Sequence, residues 1–240
     1  SDLVVGTMPR LDNHINEVLG VERPFFCSPL GFENTKPPPT AKDRKNLLHS
    51  YFPKGKIIIG YCGSMGISNA LETFVQCIKN LEHHSEVHFV LVGEGDLKQK
   101  FMEELNLNNN VTFVPRIPSS EVPHFLHLCD ILYLSTHDSK VWKFGQSMNK
   151  FVEYMLAGKP ILATYSGFPS MLNESRAGEF VQPNDGGLLE AAILKYTLMS
   201  SSERESIGTR GRRWILENRS YGQLAKEYLQ QIEKLVVQVN

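Results

Sequence analysis

The stretch that carries the most chemistry spans residues 143–163, where a glycine and small polar residues lead into a predicted helix. The first backbone N–H groups of a helix have no partner inside it and favour an anion. We expect these groups to belong to Ser147, Met148 and Asn149. Lys150 adds a full positive charge within the first turn. Together they predict a site for a phosphate or diphosphate group.

Glu153 lies three residues after Lys150, so both side chains leave the same side of the predicted helix. A carboxylate placed there can accept hydrogen bonds from the two hydroxyl groups of a ribose, as acidic residues do in dinucleotide-binding folds. The residues alone favour the simpler interpretation, which is an ordinary surface ion pair between Lys150 and Glu153.

Three other segments follow predicted strands and contain residues that suit a ligand. They hold Gly63, Ser64 and Gly66 in the first, Gly93 and Gly95 in the second, and Arg116 and Ile117 in the third. Glycine lets the backbone approach a ligand closely, and arginine pairs with phosphate. Each segment also has a plain interpretation: a tight turn, a strand-to-helix turn, and a surface arginine in a turn.

Short apolar runs alternate with stretches of helical period along most of the chain. The predicted strands cover residues 3–6, 56–62, 87–92, 111–114, 131–135, 160–165 and 178–182. The predicted helices cover residues 68–81, 120–128, 147–157, 187–199, 202–217 and 223–238. This alternation predicts an α/β fold with a Rossmann-like, doubly wound parallel sheet. Such sheets bind ligands beyond the carboxyl ends of their strands, which would gather the segments above.

The bulk properties exclude some classes of function. Net charge is −1, which gives no electrostatic reason to bind nucleic acid. No apolar run approaches the roughly 20 residues that span a bilayer, and no signal peptide is evident. The four cysteines form no C-x-x-C pair, which favours reduced, partly buried thiols over disulfides or metal ligands.

The stretch FGQSMNKFVEYMLAGKPILA resembles the donor-site helix of glycosyltransferase family 4, a group of retaining enzymes with the two-domain GT-B fold. The other segments come in that family's order: the G-Y-x-G loop, the L-V-G-E-G turn, the V-x-F-x-x-R-I-P segment and the CDILYLS strand. The resemblance covers essentially the whole chain. It reverses the preference for a plain ion pair between Lys150 and Glu153.

The resemblance implies transfer of a sugar from a nucleotide diphosphate sugar with retention at the anomeric carbon, by a hexosyl- or related transferase. No metal or cofactor is implied, and UDP is the nucleotide we expect. Lys150 and Glu153 would be the catalytic residues; Glu153 matches the second glutamate of the E-x(7)-E motif and would hold the ribose. Ile117 would contact the base through its backbone. The donor would be lined by Gly63, Ser64, Gly66, Gly93, Gly95, Arg116, Ile117, Gly145, Ser147, Met148 and Asn149.

Two features depart from the family pattern. Gly145 stands eight residues before Glu153, where the motif has its first glutamate. The family's arginine and lysine clamp is also absent from the first glycine loop, which reads SMGISN from Ser64 onward. The predicted substitutes for that clamp are Lys143, Lys150 and Arg116.

The segment of residues 25–40, with its run of three prolines, is predicted to be a linker. By resemblance, residues 1–36 are then a remnant of the acceptor domain and the interdomain linker. Residues 37–220 form the nucleotide-sugar-binding domain, and residues 221–240 form the helix that crosses back to the first domain.

The chain is accordingly expected to be the donor half of a larger enzyme and to be inactive alone. Its partners would be a nucleotide sugar and, through the missing half, a glycan or lipid-linked acceptor. The resemblance suggests surface polysaccharide synthesis in the cytoplasm, at the inner face of the membrane with peripheral association. Two alternatives are a non-catalytic nucleotide-binding or scaffold module and a sugar-nucleotide epimerase. The epimerase is disfavoured, since the catalytic acids and histidine it needs are not found near Ser147.

Overall fold

A computed structural model describes residues 2–33 and 47–239 of the chain. Its strands are β1 (Val4–Gly6), β2 (Phe25–Cys27), β3 (Ile57–Cys62), β4 (Val87–Val92), β5 (Val111–Val114), β6 (Ile131–Ser135), β7 (Ile161–Thr164) and β8 (Gly178–Val181). Its helices are α1 (Leu11–Leu19), α2 (Glu72–Asn80), α3 (Lys98–Glu104), α4 (Val122–Leu128), α5 (Asn149–Ala157), α6 (Met171–Ser175), α7 (Gly186–Thr197), α8 (Ser201–Asn218) and α9 (Tyr221–Val239). Short 3₁₀ turns cover Ile67–Asn69, Leu81–His83, Ser119–Glu121 and Lys140–Phe144.

A six-stranded parallel sheet in the order β5-β4-β3-β6-β7-β8 forms the body of the fold. The chain winds outward from β3 to β5, returns to place β6 beside β3, and then winds outward to β8. The α/β, doubly wound architecture predicted from the sequence is thereby confirmed. The reversal between β3 and β6 opens a crevice at their carboxyl ends, which is the usual ligand position in such sheets.

Alternate residues of each central strand enter two different cores, one on each face of the sheet. In β3, Ile59 and Tyr61 join the core beneath α2 and α7, whereas Ile58 joins the core beneath α4, α5 and α8. Phe74 of α2 stacks on Tyr133 of β6 with ring centroids 3.8 Å apart. Burial on both faces explains why these strands are nearly continuous apolar runs.

The predicted helix over residues 68–81 is wrong in its first four residues. Ile67–Asn69 forms a 3₁₀ turn, and Ala70 then adopts a left-handed conformation with φ 47°. The α-helix starts only at Glu72. Ser135, at the end of β6, donates a hydrogen bond to the carbonyl of Asn69, so a contact distant in sequence holds the turn open.

The predicted linker is also partly wrong, because Phe25–Cys27 forms β2 and pairs in parallel with β1. The segments β1, α1 and β2 make a separate two-stranded unit. The proline run at Pro37, Pro38 and Pro39 lies outside the described residues. The short helices α3 and α6 were not predicted. Among the described residues, no helix combines the length and apolar character needed to cross a membrane.

Candidate functional site

The loops that follow β3 and β4 are locked together at the carboxyl edge of the sheet. The N–H of Gly63 donates to the carbonyl of Val92 at 3.0 Å, and the N–H of Met65 donates to that of Glu94 at 2.8 Å. A Cβ atom built on Gly93 would lie 1.8 Å from the carbonyl oxygen of Gly63. Position 93 therefore has to be glycine because the neighbouring loop is so close, and its contact with a nucleotide stays a prediction.

The loop after β5 joins the same edge through its backbone. The N–H of Arg116 donates to Oε1 of Glu94 at 3.4 Å. Lys98 also donates to this carboxylate, and it lowers the pKa of Glu94. The guanidinium of Arg116 is exposed, while Ile117 is partly buried against the core beneath α4 and α5. The structure thus brings the backbone of Arg116 to the loop that follows β4.

Helix α5 begins at Asn149, two residues later than predicted. The N–H of Met148 is not free for an anion, because it donates to Oε1 of Gln146 at 3.1 Å. The hydroxyl of Ser147 accepts from the N–H of Leu30 at 3.4 Å. The first turn of α5 therefore offers the N–H groups of Asn149, which was expected, and of Lys150, which was not.

Lys150 reaches from α5 into the first glycine loop. Its Nζ donates to the hydroxyl of Tyr61 at 3.0 Å and to Oδ1 of Asn69 at 2.6 Å. A Cβ atom on Gly63 would lie 2.6 Å from both Cε and Nζ of this lysine. Burial lowers the pKa of Lys150 to about 8, against the opposing effects of Cys62 and Glu153. No carboxylate of the described residues lies within 4.0 Å of this ammonium.

Glu153 does not pair with Lys150, so the plain surface ion pair is not formed. Instead Glu153 lines a groove of about 810 Å³ enclosed by α4, α5 and α8, and its lining extends from Ser119 to Lys159 and Pro160, just before β7. Ser119 directly follows the loop of residues 116–118, which places the carboxylate and the predicted base-binding loop beside one groove. Burial raises the pKa of Glu153, and the Lys150 ammonium opposes this shift.

The three cations predicted to replace the missing clamp lie in different places. Lys150 is the one that sits within the glycine loops. Lys143 lies on the surface, where its Nζ is 3.3 Å from Glu17 of α1 and 4.5 Å from the ring centroid of Phe144. Arg116 contributes its backbone. Lys150 is thus the one of these three whose side chain contacts the glycine loops, and a part for Lys143 and Arg116 in binding the diphosphate stays a prediction.

Gly145 explains the absence of the first glutamate of the motif. Its backbone has φ 99° and ψ −170°, a conformation essentially restricted to glycine. A Cβ atom at this position would lie 2.5 Å from Cδ of Pro9, which precedes α1. The N–H of Arg10 also donates to the carbonyl of Phe144 at 2.9 Å. The amino-terminal unit therefore occupies the space that a side chain at position 145 would need.

We expect Gly145→Ala to lower the free energy of unfolding by about 2–4 kcal/mol, because backbone strain and the contact with Pro9 add together. Gly66→Ala is the matched control. Gly66 has φ −106°, and its Cβ would meet only Ser64 Oγ, at 3.4 Å. Urea unfolding of both variants measures the difference, and an equal cost at the two positions would contradict this account.

Tyr61 and Asn69 belong to the site although the sequence did not single them out. The Tyr61 side chain belongs to the core, and Tyr61 is the core residue nearest the end of β3. Its hydroxyl reaches the carboxyl edge of the sheet and accepts from Lys150 Nζ. A tyrosine at the carboxyl end of a buried strand is a usable signal, since a buried hydroxyl needs a partner. Asn69 lies in an irregular loop and carries no comparable pattern.

Residues 56–197, more than half of the chain, match the sequence profile of the family described as glycosyl transferases group 1. The chain belongs to this family. The matched span contains the three loops and the helix α5 described above. A search of curated proteins gives no significant match.

Solved glycosyltransferase structures share this fold. A glycosyltransferase from Rickettsia africae superposes with a TM-score of 0.78 at 16% identity, over 98% of this chain and 64% of that one. HepE of Anabaena, solved in complex with UDP, gives 0.74 at 14% identity, over 98% and 64%. TarM of S. aureus, also solved with UDP, gives 0.71 at 16% identity, over 95% and 43%. The chain thus spans less than two thirds of each of these structures.

Proposed function

We propose that this chain binds the nucleotide diphosphate of a sugar donor and forms the donor half of a retaining glycosyltransferase. The observation that carries the proposal is the Lys150 ammonium, which lies on Gly63 at the first turn of α5. Two neutral acceptors hold it, and no carboxylate of the described residues lies within 4.0 Å of it. A partly buried cation without a nearby carboxylate lowers the stability of the fold, so its presence favours a role in binding an anionic ligand.

The chemistry follows from where charge develops. When the bond from the anomeric carbon to the diphosphate breaks, negative charge accumulates on the departing phosphate oxygen. The Lys150 ammonium and the first N–H groups of α5 stabilise that charge and so lower the barrier. Retention would follow when the acceptor hydroxyl attacks the face from which the diphosphate leaves, a route that needs no base from this chain.

Glu153 and the loop after β5 would bind the nucleoside. The Glu153 carboxylate accepts hydrogen bonds from the ribose hydroxyls, and the backbone of Ile117 contacts the base. Glu153 and Ser119, the first residue after that loop, line one groove, and this supports the assignment. The UDP held by HepE and by TarM, two structures of the same fold, supports UDP as the nucleotide.

The acceptor would be bound by the part of the protein that this chain does not contain. In that arrangement residues 1–36 are the end of the acceptor domain and the linker, residues 37–220 the donor domain, and residues 221–240 the returning helix. The acceptor would be a glycan or a lipid-linked sugar, in surface polysaccharide synthesis at the cytoplasmic face of a membrane. The chain alone is expected to transfer no sugar; detectable transfer would contradict this division.

Calorimetric titration with UDP, GDP and ADP tests the proposal. We expect saturable binding of UDP and little binding of the other two nucleotides. Glu153→Gln should weaken UDP binding by about 5- to 30-fold, because a carboxylate accepts more strongly than an amide. Glu82→Gln, on the exposed surface, is the matched control and should bind as the unaltered chain does.

The ribose assignment is tested with 2′,3′-dideoxy-UDP. This analogue lacks both hydroxyls, so Glu153→Gln should change its affinity by less than about 2-fold. An equal loss for UDP and for the analogue would place Glu153 away from the ribose. If no nucleotide binds, the alternative function is favoured, which is a scaffold that no longer binds a donor. The glycine-only geometry of Gly145 also favours this alternative.

A further inference from the structure

The ammonium group of Lys150 is held by two neutral oxygens from different parts of the chain. Tyr61, near the carboxyl end of β3, accepts at 3.0 Å, and Asn69, at the end of the following 3₁₀ turn, accepts at 2.6 Å. The ammonium also lies 4.7 Å from the centroid of the Tyr61 ring, so the ring face adds attraction. Because an ammonium has three protons, one N–H remains for a further acceptor.

Both residues that accept from Lys150 are themselves held at the carboxyl edge of the sheet by hydrogen bonds. The Tyr61 hydroxyl donates its proton to the carbonyl of Ser64 at 2.6 Å, so a lone pair is what it presents to Lys150. The backbone carbonyl of Asn69 accepts from the hydroxyl of Ser135, at the end of the neighbouring strand β6. The two acceptors therefore come from β3 and from the 3₁₀ turn that β6 holds in place, while the lysine itself comes from α5.

We propose that Tyr61 and Asn69 are positioning residues that hold the Lys150 ammonium against Gly63 and direct its remaining proton to the diphosphate. This inference rests on the function proposed above. Neither residue is charged at neutral pH, so they fix the cation without neutralising it. A carboxylate at position 69 would instead pair with Lys150 and compete with the diphosphate.

The titratable groups that face Lys150 are Tyr61 and Cys62 on β3 and Glu153 on its own helix. Burial raises the pKa of the Cys62 thiol to about 12 and raises that of the Tyr61 hydroxyl further above its usual value. Both groups therefore stay neutral while Lys150, with a pKa of about 8, loses its proton. The protonation of Lys150 can accordingly be followed without interference from them.

The test measures the Lys150 pKa directly, in the chain without ligand. Lysine labelled with ¹³C at Cε gives a signal for each side chain, and the Lys150 signal is the one that disappears in Lys150→Met. We expect Asn69→Asp to raise the Lys150 pKa by about 1–2, because a carboxylate favours the charged form. Asn69→Ala and Tyr61→Phe remove an acceptor and should lower it. Asn109→Asp, in an exposed turn, is the control and should leave it unchanged.

UDP titration at neutral pH completes the test on the same proteins. Asn69→Asp should weaken binding by about 10-fold or more, and Asn69→Ala and Tyr61→Phe by about 3- to 10-fold. A Lys150 pKa that is the same in all three variants would overturn the holding role, whether or not UDP binds. Altered pKa values with unaltered UDP affinity would overturn the directing role. Absence of UDP binding by the unaltered chain would reject the donor site itself, and with it the role of the third proton.

Discussion

Lys150→Met is expected to weaken UDP binding by about 10- to 100-fold, since a hydrogen bond between charged groups contributes about 1.5–3 kcal/mol. Methionine keeps the length and most of the volume of the lysine stem that packs on Gly63. The change therefore removes the charge and the donors, while the loop stays filled. Calorimetry with UDP and with uridine separates the contributions: the affinity for uridine, which lacks phosphates, should not change.

The same lysine predicts a pH dependence with a definite sign. Burial lowers the Lys150 pKa to about 8, so the cation is present at neutral pH and is lost as pH rises through that value. UDP affinity should therefore fall as pH rises above the midpoint and level off at a loss no greater than that of Lys150→Met, and bound diphosphate should move the midpoint upward. Lys150→Met should abolish this dependence.

Lys79→Met provides the control for both measurements, because Lys79 is exposed in the last turn of α2, away from the carboxyl edge of the sheet. It should keep the affinity and the pH profile of the unaltered chain. If Lys150→Met and Lys79→Met bind UDP equally well, the ammonium on the glycine loop has no part in binding the donor.

Gly93→Ala is expected to lower the free energy of unfolding by about 3 kcal/mol or more and to abolish nucleotide binding. The backbone of Gly93 has φ +144°, and its Cβ would lie 1.8 Å from the carbonyl oxygen of Gly63. No side-chain rotation relieves a collision with backbone. The loops after β3 and β4 must therefore separate, which removes Gly63 from beneath Lys150.

Gly55→Ala separates the effect of the collision from that of an unfavourable φ. Gly55 has φ +72°, but a Cβ atom there has nothing within 4 Å, so the change should cost only about 1–2 kcal/mol. Thermal unfolding should show a fall of roughly 6–12 °C or more for Gly93→Ala, against about 2–8 °C for Gly55→Ala. Equal falls would mean that the two loops are not rigidly joined.

The sheet could be predicted from the sequence because its signal is local. Strands buried on both faces must be runs of apolar residues, and those runs end at glycine or polar residues, so β4, β5 and β6 have the predicted bounds. The break at Ala70 could not be predicted, since alanine favours a helix. The carbonyls of Ile67 and Asn69 accept hydrogen bonds from His137 and Ser135, far along the chain, and these contacts decide the local structure.

The candidate site could likewise be predicted from the sequence only in part. Lys150 and Glu153 were found because their spacing on a helix, after a glycine and small polar residues, is visible in sequence. Their partners were not found: the groove beside Glu153 and the hydrogen bond from Lys150 to Asn69 exist only after β3, β6 and α5 have come together. The occupied N–H of Met148 likewise depends on the rotamer of Gln146.

The contact between Pro9 and Gly145 links two positions that lie more than a hundred residues apart. A side chain can appear at position 145 only if the turn before α1 withdraws, and a smaller residue at position 9 by itself does not remove the backbone strain at 145. The two positions should therefore vary together during evolution. Relatives that carry a glutamate at the equivalent of position 145 are expected to have a differently shaped turn before α1, so this pair of positions would mark the point at which the branches of the family diverged.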